Sequence, residues 1–170
     1  MTPPVDESTV RRAVGRFASG VCVVTAPGPP PAEGRPRLDH AMTATSFTSV
    51  SLDPPLVLVS VETDARFHDA LVDAGAWAVN VLDETGRPVA DWLAVRGRPV
   101  HGQLDRVPLR RGPRTGAALL DQATAWVECV THALHPAGDH TLVVGEVVGA
   151  GVGGSTGALV RHRSAYRTID

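Results

Sequence analysis

Thr43, Thr45, Ser46, Thr48, Ser49 and Ser51 crowd the stretch 43–51, and the apolar run Leu56–Val59 follows directly after two prolines. Hydroxyls at that density either solvate a turn or hold a polar ligand through side chains and closely approachable backbone, and the residues alone leave both readings open. A second group is Asp139–His140 in "AGDH", a turn that presents a carboxylate and an imidazole at the mouth of a buried strand. An imidazole there suits proton transfer or hydrogen bonding to a ligand, and a capped turn with a solvated histidine fits equally. The run "GAGVGG" (149–154) matches the G-x-G-x-x-G fingerprint. That fingerprint needs a following helix and strand, with an acid about 20 residues on. The 16 residues that remain read as loop and strand, so the run is expected to be a flexible loop. His132 and His135 lie three apart on a strand and point to opposite faces, and no cysteine or carboxylate cluster completes a ligand set. No metal site is expected. The chain has no G-x-S-x-G elbow, P-loop or H-E-x-x-H, the common machinery of hydrolysis and phosphoryl transfer.

The elements that must position these residues follow from periodicity. Val10, Ala13, Val14, Phe17 and Ala18 predict an N-terminal helix, begun by Asp6, Glu7 and Ser8 and stopped by Gly20. "VCVVTA" reads as a buried strand and "PGPPPAEGRPR" as a stiff loop. Strands are expected near Leu38–Ala44, Pro55–Glu62 and Ala76–Leu82. Phe67, Ala70, Leu71 and Ala74 mark one helix, and Val89, Trp92 and Leu93 the inward face of another. Leu104, Val107 and Leu109 suit a short strand. "AWVECVTHAL" and "HTLVVGEVVGAG" read as long antiparallel strands, and "LVRHRSAYRTI" as one closing strand. Many strands with short helices between them suggest a helix-covered barrel, in contrast to a parallel βαβ array.

Composition narrows the classes. The chain has 170 residues, 43% hydrophobic and 20% charged, with a net charge of −2. That balance gives no electrostatic case for nucleic acid or an anionic membrane. The start "MTPPVDESTV" lacks a signal-like pattern, and no apolar run nears the ~20 residues of a membrane span. Cys22 and Cys129 sit in apolar runs and read as buried core thiols of a cytoplasmic protein.

In chain order, "RRAVGRFASGVCVVTA", "MTATSFTSVSLDPPLVLVSVE", "AWAVNVL", "AWVECV", "GDHTLVVGEV" and "LVRHRSAYR" resemble the flavin reductase-like family. These are FMN-binding split-barrel proteins that reduce free flavin with NAD(P)H. The second block and the GDH turn carry most of the resemblance, which runs from about Val10 to Arg167. It argues against the related pyridoxamine-phosphate oxidases.

The resemblance implies a mainly β protein with short helices, a Greek-key antiparallel FMN-binding split β-barrel, as one domain over residues 1–170. It implies that Met42, Thr43, Ala44, Thr45 and Ser46 wrap the flavin, offering backbone N–H groups and hydroxyls to the ring edge. Ser60, Val61 and Glu62 would lie beside the ring. The phosphate cluster, Ser/Arg/Thr-like in the family, reads Asp64, Ala65, Arg66, Phe67 here. Arg66 and Phe67 are its cofactor-binding members, and Asp64 reads as a helix N-cap because its charge has the wrong sign for a phosphate. The missing hydroxyls imply looser phosphate binding or a different set of donors. Ala41 stands where glycine is usual. His140 would face the nicotinamide as the catalytic residue, with Tyr166 closing the nicotinamide pocket. The implied activity is reduction of FMN or FAD with NADH or NADPH by a homodimer that serves a separate flavin-dependent monooxygenase. The alternative is a flavin-binding carrier, sensor or partner subunit with little reductase activity.

Overall fold

The computed structural model describes residues 5–31, 33, 37–154 and 157–169. The middle of the proline-rich loop, residues 32 and 34–36, lies outside them. In chain order the elements are α1 (Glu7–Val14), β1 (Ser19–Gly20), β2 (Cys22–Pro27), β3 (Asp39–Ala44), β4 (Thr48–Leu52), β5 (Pro55–Glu62), α2 (Arg66–Ala74) and β6 (Ala76–Leu82). A 3-10 turn leads into α3 (Arg87–Ala94), followed by β7 (Leu109–Arg111), β8 (Ala118–Leu120), β9 (Ala123–Ala137), β10 (His140–Val152), β11 (Ala158–His162) and β12 (Ala165–Ile169).

Seven strands form one sheet in the order β3-β2-β6-β9-β10-β5-β4, every neighbouring pair antiparallel. Its two edges, β3 and β4, are joined in sequence by Thr45, Ser46 and Phe47 alone. Laid flat, the edges of such a sheet would be ~29 Å apart at ~4.8 Å per strand. The four Cα steps from Ala44 to Thr48 reach only ~14 Å. The sheet must therefore roll up, and it does so as an antiparallel barrel split between β3 and β4. The hydroxyl-rich loop bridges the split.

Side-chain alternation fills this barrel. Val57, Val59 and Val61 of β5 point into a core with Val24 of β2, Val79 and Trp77 of β6, and Phe67 and Leu71 of α2. Val21 and Val23 face the opposite way, packing with Leu82, Leu93 and Leu120 under α3. β2 is thus buried on both faces, which explains its unbroken apolar run. Burying each such side chain stabilises the fold by about 1.5–3 kcal/mol. Asn80 docks β8: its amide donates to the Val23 and Ala118 carbonyls and its oxygen accepts from Leu120 N. Cys22 and Cys129 are unpaired, and burial pushes both thiols up to about 12, with the Glu128 charge adding to it at Cys129.

Several sequence expectations are corrected. The N-terminal helix stops at Val14, and Val10, Val14 and Phe17 are exposed, so its apolar side meets no core of this chain. Half of the hydroxyl run is strand β4. Leu104 is core but belongs to no strand. Trp92 is 40% exposed, its indole N–H held by the Gln103 carbonyl. "GAGV" is paired strand, with Gly149 opposite Glu128 and Gly151 opposite Trp126. The closing segment is a hairpin, not one strand. Arg163 and Ser164 take positive φ of 51° and 60° at its turn, a conformation their side chains do not advertise.

Candidate active site

A cavity of about 350 Å³ opens where three segments meet: His40–Thr43 of β3, Glu62–Phe67 at the start of α2, and Leu93–Val100 at the end of α3 and beyond. β3 pairs only with β2, so its other edge is open. The Asp39 carbonyl accepts from the Gln103 side chain at 3.2 Å, and the Ala41 carbonyl from Arg98. Because peptide groups alternate direction along an antiparallel strand, the N–H and C=O of Thr43 lie on that same open edge. Arg111 adds a bidentate pair to Asp39 at 2.6 and 2.7 Å, fixing the start of the strand.

The hydroxyls of the bridging loop brace it. Ser46 Oγ donates to the Ser60 carbonyl and accepts from Ser60 N, both at 3.0 Å, stapling the loop to β5. Thr43 Oγ1 donates to the Ala90 carbonyl of α3 at 2.7 Å. What the segment offers a ligand is therefore mainly backbone. Along β5, Ser60 and Glu62 face away from the core, whereas Val61 is fully buried and has only its peptide to present. Ala44 and Phe67 are likewise core residues, though Phe67 also reaches the cavity wall.

The N-terminus of α2 is uncapped. Its N-cap is Ala65, in extended conformation, with no side-chain cap bond. Asp64 therefore does not cap this helix, contrary to the sequence reading. Free amide groups and the dipole of a nine-residue helix favour an anion here, and Arg66 stands at its first position. Arg66 donates to the Arg98 carbonyl.

His140 stands opposite Glu62, a lining residue of this cavity, across the β10–β5 ladder. Asp139 O accepts from Thr63 N at 3.0 Å and Thr63 Oγ1 at 3.1 Å, tying the GDH turn to the end of β5. His68 of α2 adds a second tie, Nε2 to Thr141 Oγ1 at 2.9 Å. His140 Nδ1 lies 2.7 Å from Asp139 Oδ1, and this hydrogen bond, followed by the imidazole charge, holds the carboxyl below its usual range. Tyr166 does not join the group. It packs under Arg161 and Arg87, 4.7 and 5.8 Å from ring centroid to guanidinium carbon, at the other end of α3.

Sequence reasoning missed the strap after α3. Arg96 Nη2 meets both Glu62 oxygens at 2.8 and 3.1 Å. Arg98 is held at three nitrogens, by Ala41 O, Val95 O and Gln103 Oε1. Burial, then the Arg66 charge, draws its pKa below the ordinary guanidinium value. The available signal was the "VRGR" pair of arginines just past a helix end, in a segment with no periodicity of its own.

Residues 14–170 match the family model of the flavin reductase like domain. The NADH-dependent FAD reductase of Streptomyces globisporus is 41% identical over 151 residues, 88% of this chain and 79% of that one. The reductase component of 4-hydroxyphenylacetate 3-monooxygenase from Thermus thermophilus is 38% identical over 162 residues, 94% of both chains. Among solved structures, BorF, the flavin reductase component of a bacterial two-component tryptophan halogenase, superposes with a TM-score of 0.86 at 42% identity, covering 96% of this chain and 98% of its own. The Streptomyces globisporus NADH:FAD oxidoreductase in complex with NAD and FAD fragments gives 0.88 at 35% identity, covering 100% and 96%. With the split barrel and its loop already in place, these matches settle the relationship: the chain belongs to the flavin reductase-like family.

Proposed function

We propose that the protein reduces FMN or FAD with NAD(P)H. One observation carries this: the open edge of β3 and the uncapped α2 N-terminus with Arg66 share one cavity, and His140 is paired with its lining residue Glu62. The donor set fits a flavin. Backbone groups of Met42–Ser46, with Ser60 and Glu62 nearby, suit the alternating donors and acceptors of the ring edge, and Arg66 with the helix end suits its phosphate. A bound flavin supplies the hydride-accepting ring and NAD(P)H the hydride.

The remaining work falls to the chain's own groups. With a flavin bound, peptide N–H groups at the β3 edge would stabilise negative charge on the ring edge from fixed positions. With Nδ1 of His140 engaged by Asp139, Nε2 is left to hydrogen-bond the co-substrate.

Two relatives are reductase components of two-component systems, which supports a separate flavin-dependent monooxygenase as the consumer of reduced flavin. The exposed Val10, Val14 and Phe17 support a homodimer, since a second copy would cover them. We read residues 1–170 as one domain. Unpaired thiols support a cytoplasmic location, and among the described residues no helix is long and apolar enough to cross a membrane. Anaerobic stopped-flow mixing of protein, FMN and NADH tests the activity. Rapid loss of flavin absorbance is expected; flavin binding without bleaching would make the chain a carrier or sensor.

A further inference from the structure

We infer that the same cavity holds a second anion subsite, built by Arg96 and Arg98, which takes the diphosphate of a dinucleotide; this rests on the flavin reductase reading of the cavity. The α2 N-terminus and Arg66 already meet the needs of one phosphate. The cavity does not end there. It continues along the open edge of β3 to His40, Pro99 and Gln103, and its far wall carries Arg96 and Arg98. Three guanidiniums line it against two carboxylates, Glu62 and Asp64.

Arg98 is built into this wall. Its bonds to Ala41 O, Val95 O and Gln103 Oε1 fix its plane and use three of its five N–H groups, which leaves two for a ligand. Gln103 is itself anchored by Asp39 O and Val100 O. The charge of Arg66 is near enough to disfavour that of Arg98, a like-charge repulsion that an anion between them relieves. Among the described residues Arg96 is held through Glu62, with side chains 85% and 33% exposed. Exposed pairs of this kind are weak, so a phosphate oxygen readily displaces the carboxylate from the guanidinium. Asp64, Ala65 and Phe67 beside Arg66 carry no hydroxyl, and Arg96 and Arg98 supply the further donors of the cavity lining. Two linked phosphates present oxygens to both walls at once; a single phosphate on Arg66 leaves the strap unanswered. FAD and NAD(P)H both carry such a diphosphate.

The test uses Arg96→Gln, whose side chain is exposed and outside the core, with inorganic pyrophosphate and orthophosphate as probes. Pyrophosphate is expected to compete about tenfold more tightly than orthophosphate in the wild type, and Arg96→Gln to erase that preference. The same variant should weaken one dinucleotide about tenfold. A loss for FAD with FMN unchanged assigns the subsite to the flavin. A loss in NADH KM, with reduced nicotinamide mononucleotide unaffected, assigns it to the co-substrate. Equal competition by the two anions, or equal weakening of FMN and FAD with NADH unchanged, overturns the subsite. If the wild type reduces no flavin, the reductase reading fails, and the pyrophosphate comparison still decides the anion site.

Discussion

His140 stands directly opposite Glu62 in the β10–β5 ladder. Opposed residues of an antiparallel pair project from the same face, with Cβ atoms about 4.5–5.5 Å apart. Glu62 lines the cavity and grips Arg96, so the imidazole is anchored beside a lining residue without itself entering the cavity wall. We propose that two tasks are separate here: groups at the α2 end hold the flavin, and His140 meets whatever docks over it.

That separation makes His140→Ala a kinetic variant. Its single-turnover rate of flavin reduction by NADH should fall about tenfold or more, within the roughly 10–10⁴-fold range of lost positioning or proton-transfer contacts. FMN affinity should stay within about threefold. Loss of FMN binding in a fluorescence titration would move His140 into the flavin site, and an unchanged rate would leave it a solvated turn residue.

Arg66→Ala should weaken FMN binding more than Asp64→Ala does. A phosphate near −2 gains from a guanidinium and is repelled by a carboxylate, and Asp64 makes no cap bond whose loss would blur the comparison. Losing one charged contact costs on the order of 1.5–3 kcal/mol, and Arg66 is exposed, so the lower end, about tenfold, applies. Equal effects in a titration would remove Arg66 from the phosphate site.

Where a pattern was strict, the sequence was legible. β5 and β6 fall at the expected residues because long apolar runs flanked by turn signals admit one reading. The loop 42–46 and His140 were singled out as site residues through resemblance alone; Met42 and Thr43 line the cavity, and His140 pairs with Glu62 of its wall. The arginine strap was not, because its residues follow no period and act through backbone carbonyls of a strand more than 50 positions away in sequence. Tyr166 was misplaced for a related reason: one closing strand was expected, and a hairpin turn at Arg163–Ser164 carries it to the far end of α3.

His40 lines the cavity, and burial, opposed by the Asp39 charge, lowers its pKa below 6.5. The unfolded chain therefore takes up this proton first as pH falls, so His40 removes stability below pH 6.5 and is neutral above it. A bound phosphate reverses the preference by favouring imidazolium. Dinucleotides, whose diphosphate diester does not titrate in this range, should therefore bind more tightly as pH drops from about 7.5 to 5.5, whereas the FMN phosphate itself takes up a proton at about pH 6 and offsets the gain. An NMR titration of His40 should show its pKa rising on ligand addition, and His40→Gln should flatten the affinity profile. An unshifted resonance would place His40 outside the ligand's reach.

The glycines of β10 separate packing from cofactor binding. A Cβ on Gly145 would sit 2.4 Å from Trp77 Cζ2 and 2.8 Å from Cys129 Cβ, both fully buried residues. Neither can retreat without disturbing the barrel core, so Gly145→Ala should destabilise by about 1–3 kcal/mol, as overpacking does. In a chain of this size that lowers Tm by about 2–12 °C. A Cβ on Gly151 would meet the Trp126 ring at 2.5 Å, but that ring is only partly buried and can swing aside. Gly151→Ala should therefore lose less stability than Gly145→Ala. Both variants that fold should keep their KM for NADH within about threefold, because these residues are paired strand and present no phosphate cradle. Gly20→Ala, with nothing within 4 Å of the added carbon, is the control and should melt within about 2 °C of the wild type. A large rise in NADH KM for well-folded Gly151→Ala would restore the dinucleotide fingerprint that the strand pairing rejects.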